Sequence, residues 1–248
     1  NPEDKDLMQL LADYFYKNYD EYAEIKNLVL NVNIDGNDVA GGLVSLVDLR
    51  YGASTTIENV TVNGTIKTSS NIAGGIIGNT NATYGESKAY DGPLGTLTLK
   101  NLVNNATVES TYSTTGSVDV KVGGIVGQTS QMHIVMENCK NTGDLKAVEY
   151  ETKTGYKSYV SGLIGMAQGG QHRTITVTNC ENTGALTGKV TAQVIASMGN
   201  GGHVTIKGYS GAEEEVLGQL NRASSYSIYE VIINEISNEF RIDSKRIF

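Results

Sequence analysis

The stretch VGGIVGQ, Val122 to Gln128, holds three glycines and three β-branched residues in seven positions. Glycine weakens a strand and β-branched residues favour one. The same mixture returns as AGGIIGN from Ala73 and VSGLIGM from Val160, and more loosely as AGGLVS from Ala40 and VIASMG from Val194. Recurrence at such an interval marks a repeat protein, and the repeat decides how the rest of the chain is read.

Asparagine sets the register. Asn27, Asn59, Asn101, Asn138 and Asn179 stand at spacings of 32, 42, 37 and 41 residues, with Gly208 as a degenerate sixth copy. Two positions before each stands an apolar residue: Ile25, Ile57, Leu99, Met136, Val177 and Ile206. Seven positions after stand Ile34, Ile66, Val108, Leu145 and Leu186. The clearest pair is ENCKNTGDL (Glu137 to Leu145) beside TNCENTGAL (Thr178 to Leu186). TITVTNC (Thr174 to Cys180) alternates apolar and polar with period two, which argues strand. One repeat cannot bury its apolar face alone, but repeats side by side make a continuous core. The expectation is an all-β solenoid, parallel β-helix-like, of about five to six repeats, with equivalent residues about 4.8 Å apart.

Within VGGIVG, strand alternation puts Val122, Gly124 and Val126 on one face and Gly123, Ile125 and Gly127 on the other. Two readings follow. Glycines lined up along the solenoid would leave a narrow binding groove, or they mark tight core packing where another backbone comes close. The register asparagines also have two readings. They are structural amides stacked at a left-handed bend, or a row of ligand-binding amides.

In combination, VGGIVG and NC.NTG.L resemble the GLUG repeat of bacterial surface and secreted proteins. That class includes adhesin-like proteins and non-catalytic stretches of IgA-cleaving metallopeptidases. The resemblance covers roughly residues 23 to 210. It implies a β-helix-like solenoid, an extracellular or cell-surface bacterial setting, and no catalytic residues.

The flanks read differently. Residues 1–22 are expected to form a helical N-terminal cap: Asn1 suits the N-cap, Pro2 the first turn, and Leu7, Leu10, Leu11, Tyr14 and Phe15 one stripe. Residues 23–210 are the solenoid. Residues 211–248 read as a helical C-terminal cap or connector, with Ile228, Ile232, Ile236 and Phe240 near helical spacing. GAEEEV (Gly211 to Val216) reads as the start of that helix.

Three insertions leave the repeat, at roughly 79–95, 109–121 and 147–159. The last two occupy the same repeat position and are expected side by side, each as a hairpin. They carry much of the tyrosine: Tyr84, Tyr90, Tyr112, Tyr150, Tyr156 and Tyr159. Tyrosine gives rigid contact area at low entropic cost. Tyr112, Tyr150, Tyr156 and Tyr159 are therefore the candidate ligand-binding residues, against the alternative that they are cross-strand packing partners.

The remaining chemistry points away from catalysis. His133, His172 and His203 lie in no H-E-x-x-H and each precedes a repeat strand, so no metal site is expected. NVNIDGND (Asn31 to Asp38) has the opening offsets of a calcium loop but Gly42 where a bidentate Glu is required, and it reads as strand then turn. Cys139 and Cys180 share a repeat slot within disulfide reach, yet Leu28, Val60 and Leu102 fill that slot elsewhere, so both read as free and buried. No catalytic residue and no cofactor is expected.

The formal net charge of −8 argues against nucleic acid and anionic membranes, and no apolar run reaches membrane-span length. The expected function is a non-enzymatic module for adhesion or recognition of a host, matrix or glycan ligand. The alternatives are a structural stalk or spacer, and less favourably a polysaccharide-processing β-helix enzyme.

Overall fold

The computed structural model describes residues 22–50, 52–83, 94–113, 118–168, 173–199, 203–208, 216–220, 230–235 and 238–243. Every regular element among them is a strand. The first repeat supplies β1 (Tyr22–Gly36), β2 (Ala40–Gly41) and β3 (Val44–Arg50). The second supplies β4 (Ser54–Thr68), β5 (Ile72–Gly74) and β6 (Ile77–Thr83). In the third, the long strand breaks into β7 (Thr96–Lys100), β8 (Val103–Asn104) and β9 (Thr107–Ser110), followed by β10 (Val120–Gly123) and β11 (Val126–Thr129). The fourth repeats this as β12 (His133–Glu137), β13 (Lys140–Asn141), β14 (Leu145–Ala147), β15 (Ser158–Ser161) and β16 (Ile164–Ala167). The fifth has β17 (Thr174–Thr178), β18 (Glu181–Asn182), β19 (Leu186–Thr187), β20 (Val190–Ala192) and β21 (Ile195–Met198). β22 (His203–Lys207), β23 (Leu217–Leu220), β24 (Glu230–Glu235) and β25 (Asn238–Asp243) complete the order.

Equivalent strands of successive repeats pair in parallel and collect into three sheets. The first is 14-stranded; the second runs β2-β5-β10-β15-β20 and the third β23-β21-β16-β11-β6-β3. The register is the one the asparagines predict: Ile25 faces Ile57, Ile57 faces Leu99, Leu99 faces Met136 and Met136 faces Val177. This all-β arrangement of parallel sheets is compatible with a β-helix or solenoid. Strands of the first sheet alternate, half-buried then buried, as β7 and β12 show. Their inward residues join those of the other two sheets in one apolar cluster that includes Ile57, Leu99, Met136, Val122, Val160, Ile77 and Ile164.

The register asparagines adopt left-handed backbone, with φ between 52° and 59°, and Gly208 takes the same slot at φ 71°. Asparagine tolerates that conformation better than other side-chain-bearing residues. Their amides form an exposed ladder: Asn59 Nδ2 donates to Asn27 Oδ1 at 3.0 Å, Asn101 to Asn59 at 3.0 Å and Asn138 to Asn101 at 3.3 Å. This is the stacked-amide reading.

Charge enforces the same register. One outward column reads Lys26, Glu58, Lys100, Glu137, and another reads Asp35, Lys67, Glu109, Lys146. Signs alternate from repeat to repeat in both. Lys100–Glu137 closes at 3.2 Å and Lys146–Glu109 at 3.3 Å. Opposite charges directly across a strand pair favour that pairing, and pairing a repeat with the next but one would set like against like.

Three expectations are corrected. VGGIVG is not one strand: β10 ends at Gly123 and β11 begins at Val126, with a corner at Gly124 and Ile125 between the second and third sheets. All of Val120–Thr129 is buried, so the glycine line leaves no groove. A Cβ on Gly124 would sit 2.0 Å from the Gly162 carbonyl oxygen and 2.6 Å from Cγ of Asn141. The absent side chains make room for backbone and for asparagine. The fifth glycine copy, expected at Val194, lies three residues earlier, because Thr191 pairs with Val160, Ala192 with Ser161 and Ile195 with Ile164. The C-terminal segment is not helical where it is described. β23 follows Val216, and β24 and β25 form an antiparallel pair at the end of the first sheet. Its apolar residues extend a sheet whose last parallel edge, β22, accepts β24. The N-terminal cap expected over 1–22 lies outside the described residues, apart from Tyr22 at the start of β1.

Candidate functional site

The insertions of the third and fourth repeats enter and leave the core at the same place, because β9 pairs with β14 and β10 with β15. They therefore lie side by side as expected. The second is a short hairpin. Glu151 and Lys157 form an antiparallel bridge, Thr152 N donates to Tyr156 O at 2.8 Å, and Gly155 turns at φ 89°. In the first, residues 114–117 lie outside the described residues, and so do Tyr84 and Tyr90 of the 79–95 insertion.

The two segments are tied together. Lys157 N donates to Asp119 Oδ1 at 3.0 Å, Val120 N donates to Lys157 O at 3.0 Å, and the Tyr150 hydroxyl donates to the Val118 carbonyl. Glu151 bridges Lys157 at 2.9 Å and Lys189 at 3.2 Å, and those two ammonium groups hold its carboxyl below the usual range. The described parts of the two insertions are thus tied to each other by hydrogen bonds through Val118, Asp119 and Val120.

Its tyrosines differ in what they offer. Tyr112 and Tyr150 are half-buried with their rings against the core cluster, and Tyr156 is half-buried on the hairpin. Tyr159 is 1% exposed and packs with Met166, Ala192 and Ala196. Burial first, and the Asp119 carboxylate second, push the phenols of Tyr150 and Tyr159 up to about 12. Lys121, nearly buried beside Tyr159 in the second sheet, has its ammonium pKa lowered by burial, partly offset by Asp119. Of the four candidate tyrosines, Tyr112, Tyr150 and Tyr156 thus keep accessible surface, with Glu151 and Lys157 on the same hairpin as Tyr156 and Lys189 paired to Glu151.

The other chemistry-bearing residues serve the repeat. His133 opens β12, half-buried, and burial lowers its pKa. Thr174 N donates to its Nδ1 at 3.1 Å, so that nitrogen is an acceptor. His203 opens β22, and His172 lies outside the described residues. Asn31–Gly36 is strand, and Asp38 Oδ1 accepts from Val39 N at 2.7 Å in the turn that follows. Cys139 and Cys180 are free and buried, with Cys139 N donating to the Cys180 sulfur at 3.3 Å. Among the described residues, no group of three His, Cys, Asp or Glu side chains is placed to hold a metal.

One set of residues was not singled out from sequence. Asn104, Asn141 and Asn182 stand three positions after the register asparagines and point inward. Asn104 donates to Asn141 at 2.7 Å, Asn141 to Asn182 at 2.7 Å and Asn182 to Gln193 Oε1 at 2.8 Å. Each also donates to the carbonyl two residues on: Ala106, Gly143 and Gly184. Gln193 occupies the slot of the second glycine and ends the ladder. The constant offset of these asparagines was the available signal. Leu30 and Val62 replace them in the first two repeats.

Fold and site together define an all-β repeat protein with parallel sheets and a tyrosine-bearing loop pair on one side. No family model matches the chain, and no solved structure matches it significantly. Among curated proteins it is similar to halomucin from Haloquadratum walsbyi (strain DSM 16790 / HBSQ001), at 29% identity over 186 residues. The match takes in 65% of this chain and 2% of halomucin, so the chain spans a very small part of that relative's length. Among the described residues no helix is long and apolar enough to cross a membrane.

Proposed function

We propose that the repeats close into a β-solenoid of the GLUG-like class, and that it serves as a non-enzymatic recognition module of a secreted or cell-surface protein. The contact surface is the joined pair of insertions, 109–121 and 147–159. The observation that carries this reading is the pre-ordering of that pair by the Tyr150–Val118, Lys157–Asp119 and Val120–Lys157 hydrogen bonds. A loop pair already held in place loses little entropy on binding. The half-exposed tyrosines and flanking Glu151, Lys157 and Lys189 suit a polar extracellular protein or glycan. Similarity to a stretch of the far longer halomucin supports a module within a large protein.

The test is an array of glycans and extracellular-matrix proteins probed with wild type and with a Tyr156→Ala variant; Tyr112 is kept because its ring packs against the core cluster. Tyr150 is kept because its hydroxyl holds the two insertions together. Binding by wild type and its loss in the variant, at unchanged thermal stability, support recognition. Equal binding by both removes the insertion face from the reading. The second reading, a spacer within a longer protein, is favoured by the 2% coverage of halomucin, and it requires no binding by either form.

A further inference from the structure

Four asparagines of this chain stand in Asn-X-Thr sequence, the acceptor motif for N-linked sugar: Asn59, Asn63, Asn81 and Asn105. None of the four is buried. The inward-facing Asn104, Asn141 and Asn182 lack the hydroxyl, with Ala106, Gly143 and Gly184 two positions on. The backbone sorts the four further. Asn59 and Asn63 lie inside β4, which runs unbroken from Ser54 to Thr68, and Asn81 lies inside β6. Asn105 alone sits outside a strand, in the break between β8 and β9, with Asn105 and Thr107 both exposed. A surface break of this kind is where an acceptor motif can be enclosed by an enzyme.

The hydrogen bonds of Asn105 leave room for the modification. Its Nδ2 donates to Asn63 Oδ1 at 2.8 Å, and its Oδ1 accepts from the Thr142 hydroxyl at 2.7 Å. Those partners belong to repeats on opposite sides, so the N–H in use is the one anti to the side-chain carbonyl. A primary amide carries a second N–H, and this one makes no hydrogen bond among the described residues. An N-linked sugar turns the side chain into a secondary amide. Like a peptide bond, that amide keeps its remaining N–H anti to the carbonyl. The bond to Asn63 therefore survives, and the sugar takes the place of the unused hydrogen.

We propose that Asn105 carries an N-linked glycan. The donor is an oligosaccharide held on a lipid pyrophosphate. The bond from Nδ2 to the anomeric carbon forms and the bond from that carbon to the pyrophosphate oxygen breaks. The pyrophosphate leaves with the electron pair, and Nδ2 gives up one proton. The proposal rests on the secreted or cell-surface setting proposed above.

The first test uses the folded, sugar-free chain, incubated with an oligosaccharyltransferase and a lipid-linked oligosaccharide and read by peptide mass spectrometry. Asn105 should be modified about tenfold or more ahead of Asn59 and Asn63, because transfer within β4 waits on local opening. Thr107→Ala should abolish transfer at Asn105 and Thr107→Ser should keep it. The modified chain should keep the melting temperature of the unmodified one. No transfer at Asn105 overturns the assignment, and so do Asn59 or Asn63 reacting as fast, or transfer that persists in Thr107→Ala. The second test uses the protein from its own cells. In the surface or secreted fraction, the tryptic peptide 101–121 should carry a sugar mass that Thr107→Ala removes. An unmodified Asn105 in that fraction overturns the glycan and leaves the recognition reading standing. A protein confined to the cytoplasm overturns the setting and the glycan together.

Discussion

Asn104 donates from Nδ2 to Oδ1 of Asn141 at 2.7 Å inside the protein, one repeat to the next, with both side chains fully buried. Asn141 passes the interaction on to Asn182. The exposed register ladder runs the other way, each amide donating toward the N-terminal repeat. A buried amide is favourable only when its polar atoms are satisfied. Here the neighbouring repeat supplies one partner and the local turn another.

Asn141→Ala removes the middle of the inner ladder and strands Asn104 and Asn182. It should cost about 2–4 kcal/mol. Asn101→Ala breaks an exposed link and places alanine in left-handed backbone, at about 1–2 kcal/mol, and Asn101→Gly should recover most of that. Urea denaturation of the three variants checks the order. Equal losses for Asn141→Ala and Asn101→Gly would contradict it.

Gly124→Ala should be among the most damaging single changes, about 3 kcal/mol or more, because its Cβ would meet the Gly162 carbonyl at 2.0 Å. Gly36→Ala meets nothing within 4 Å and should change stability by no more than about 0.5 kcal/mol. Melting temperatures measured side by side decide this.

Alkaline pH should destabilise the fold. Tyr150 and Tyr159 keep their protons up to about pH 12 when folded, against roughly 10 in an unfolded chain. Between those values unfolding releases protons, so stability falls as pH rises, whereas below about 10 these groups contribute no slope. Denaturation midpoints across that window test it, with Tyr150→Phe expected to flatten part of the slope.

The thiols should be silent in the native protein. Cys139 and Cys180 are buried, and burial pushes the Cys139 thiol well up, so a thiol reagent should react only as fast as the chain opens. Cys139→Val should stay within about 1 kcal/mol of wild type, since Val60 and Leu102 fill the same slot. Rapid labelling under native conditions would show the core to be open there.

Much of the fold was legible in the sequence because it is local and repeated. The asparagine spacing, the apolar positions at −2 and +7 and the period-two strands all return in the pairing, since each repeat copies the residues its neighbour must match. The left-handed asparagines were legible for the same reason: their backbone need is met by their own residue type. The side-by-side placement of the two insertions also followed from the repeat. What the tertiary structure alone decided depends on atoms contributed from elsewhere. The corner at Gly124 exists because the Gly162 carbonyl and Asn141 occupy the space a Cβ would take. The fifth copy lies three residues from its look-alike, in a register that sets Gln193 beside Asn182 at the end of the inner ladder. The fate of the tyrosines divides on the same ground, with Tyr159 packed against Met166 and Ala196 while Tyr156 stays at the surface. The C-terminal apolar residues read as a helix by spacing, yet an unfilled strand edge at β22 recruits Val231–Asn234 into the sheet. Periodicity reports what a segment prefers, and the open hydrogen-bonding edge of its neighbour decides what it becomes.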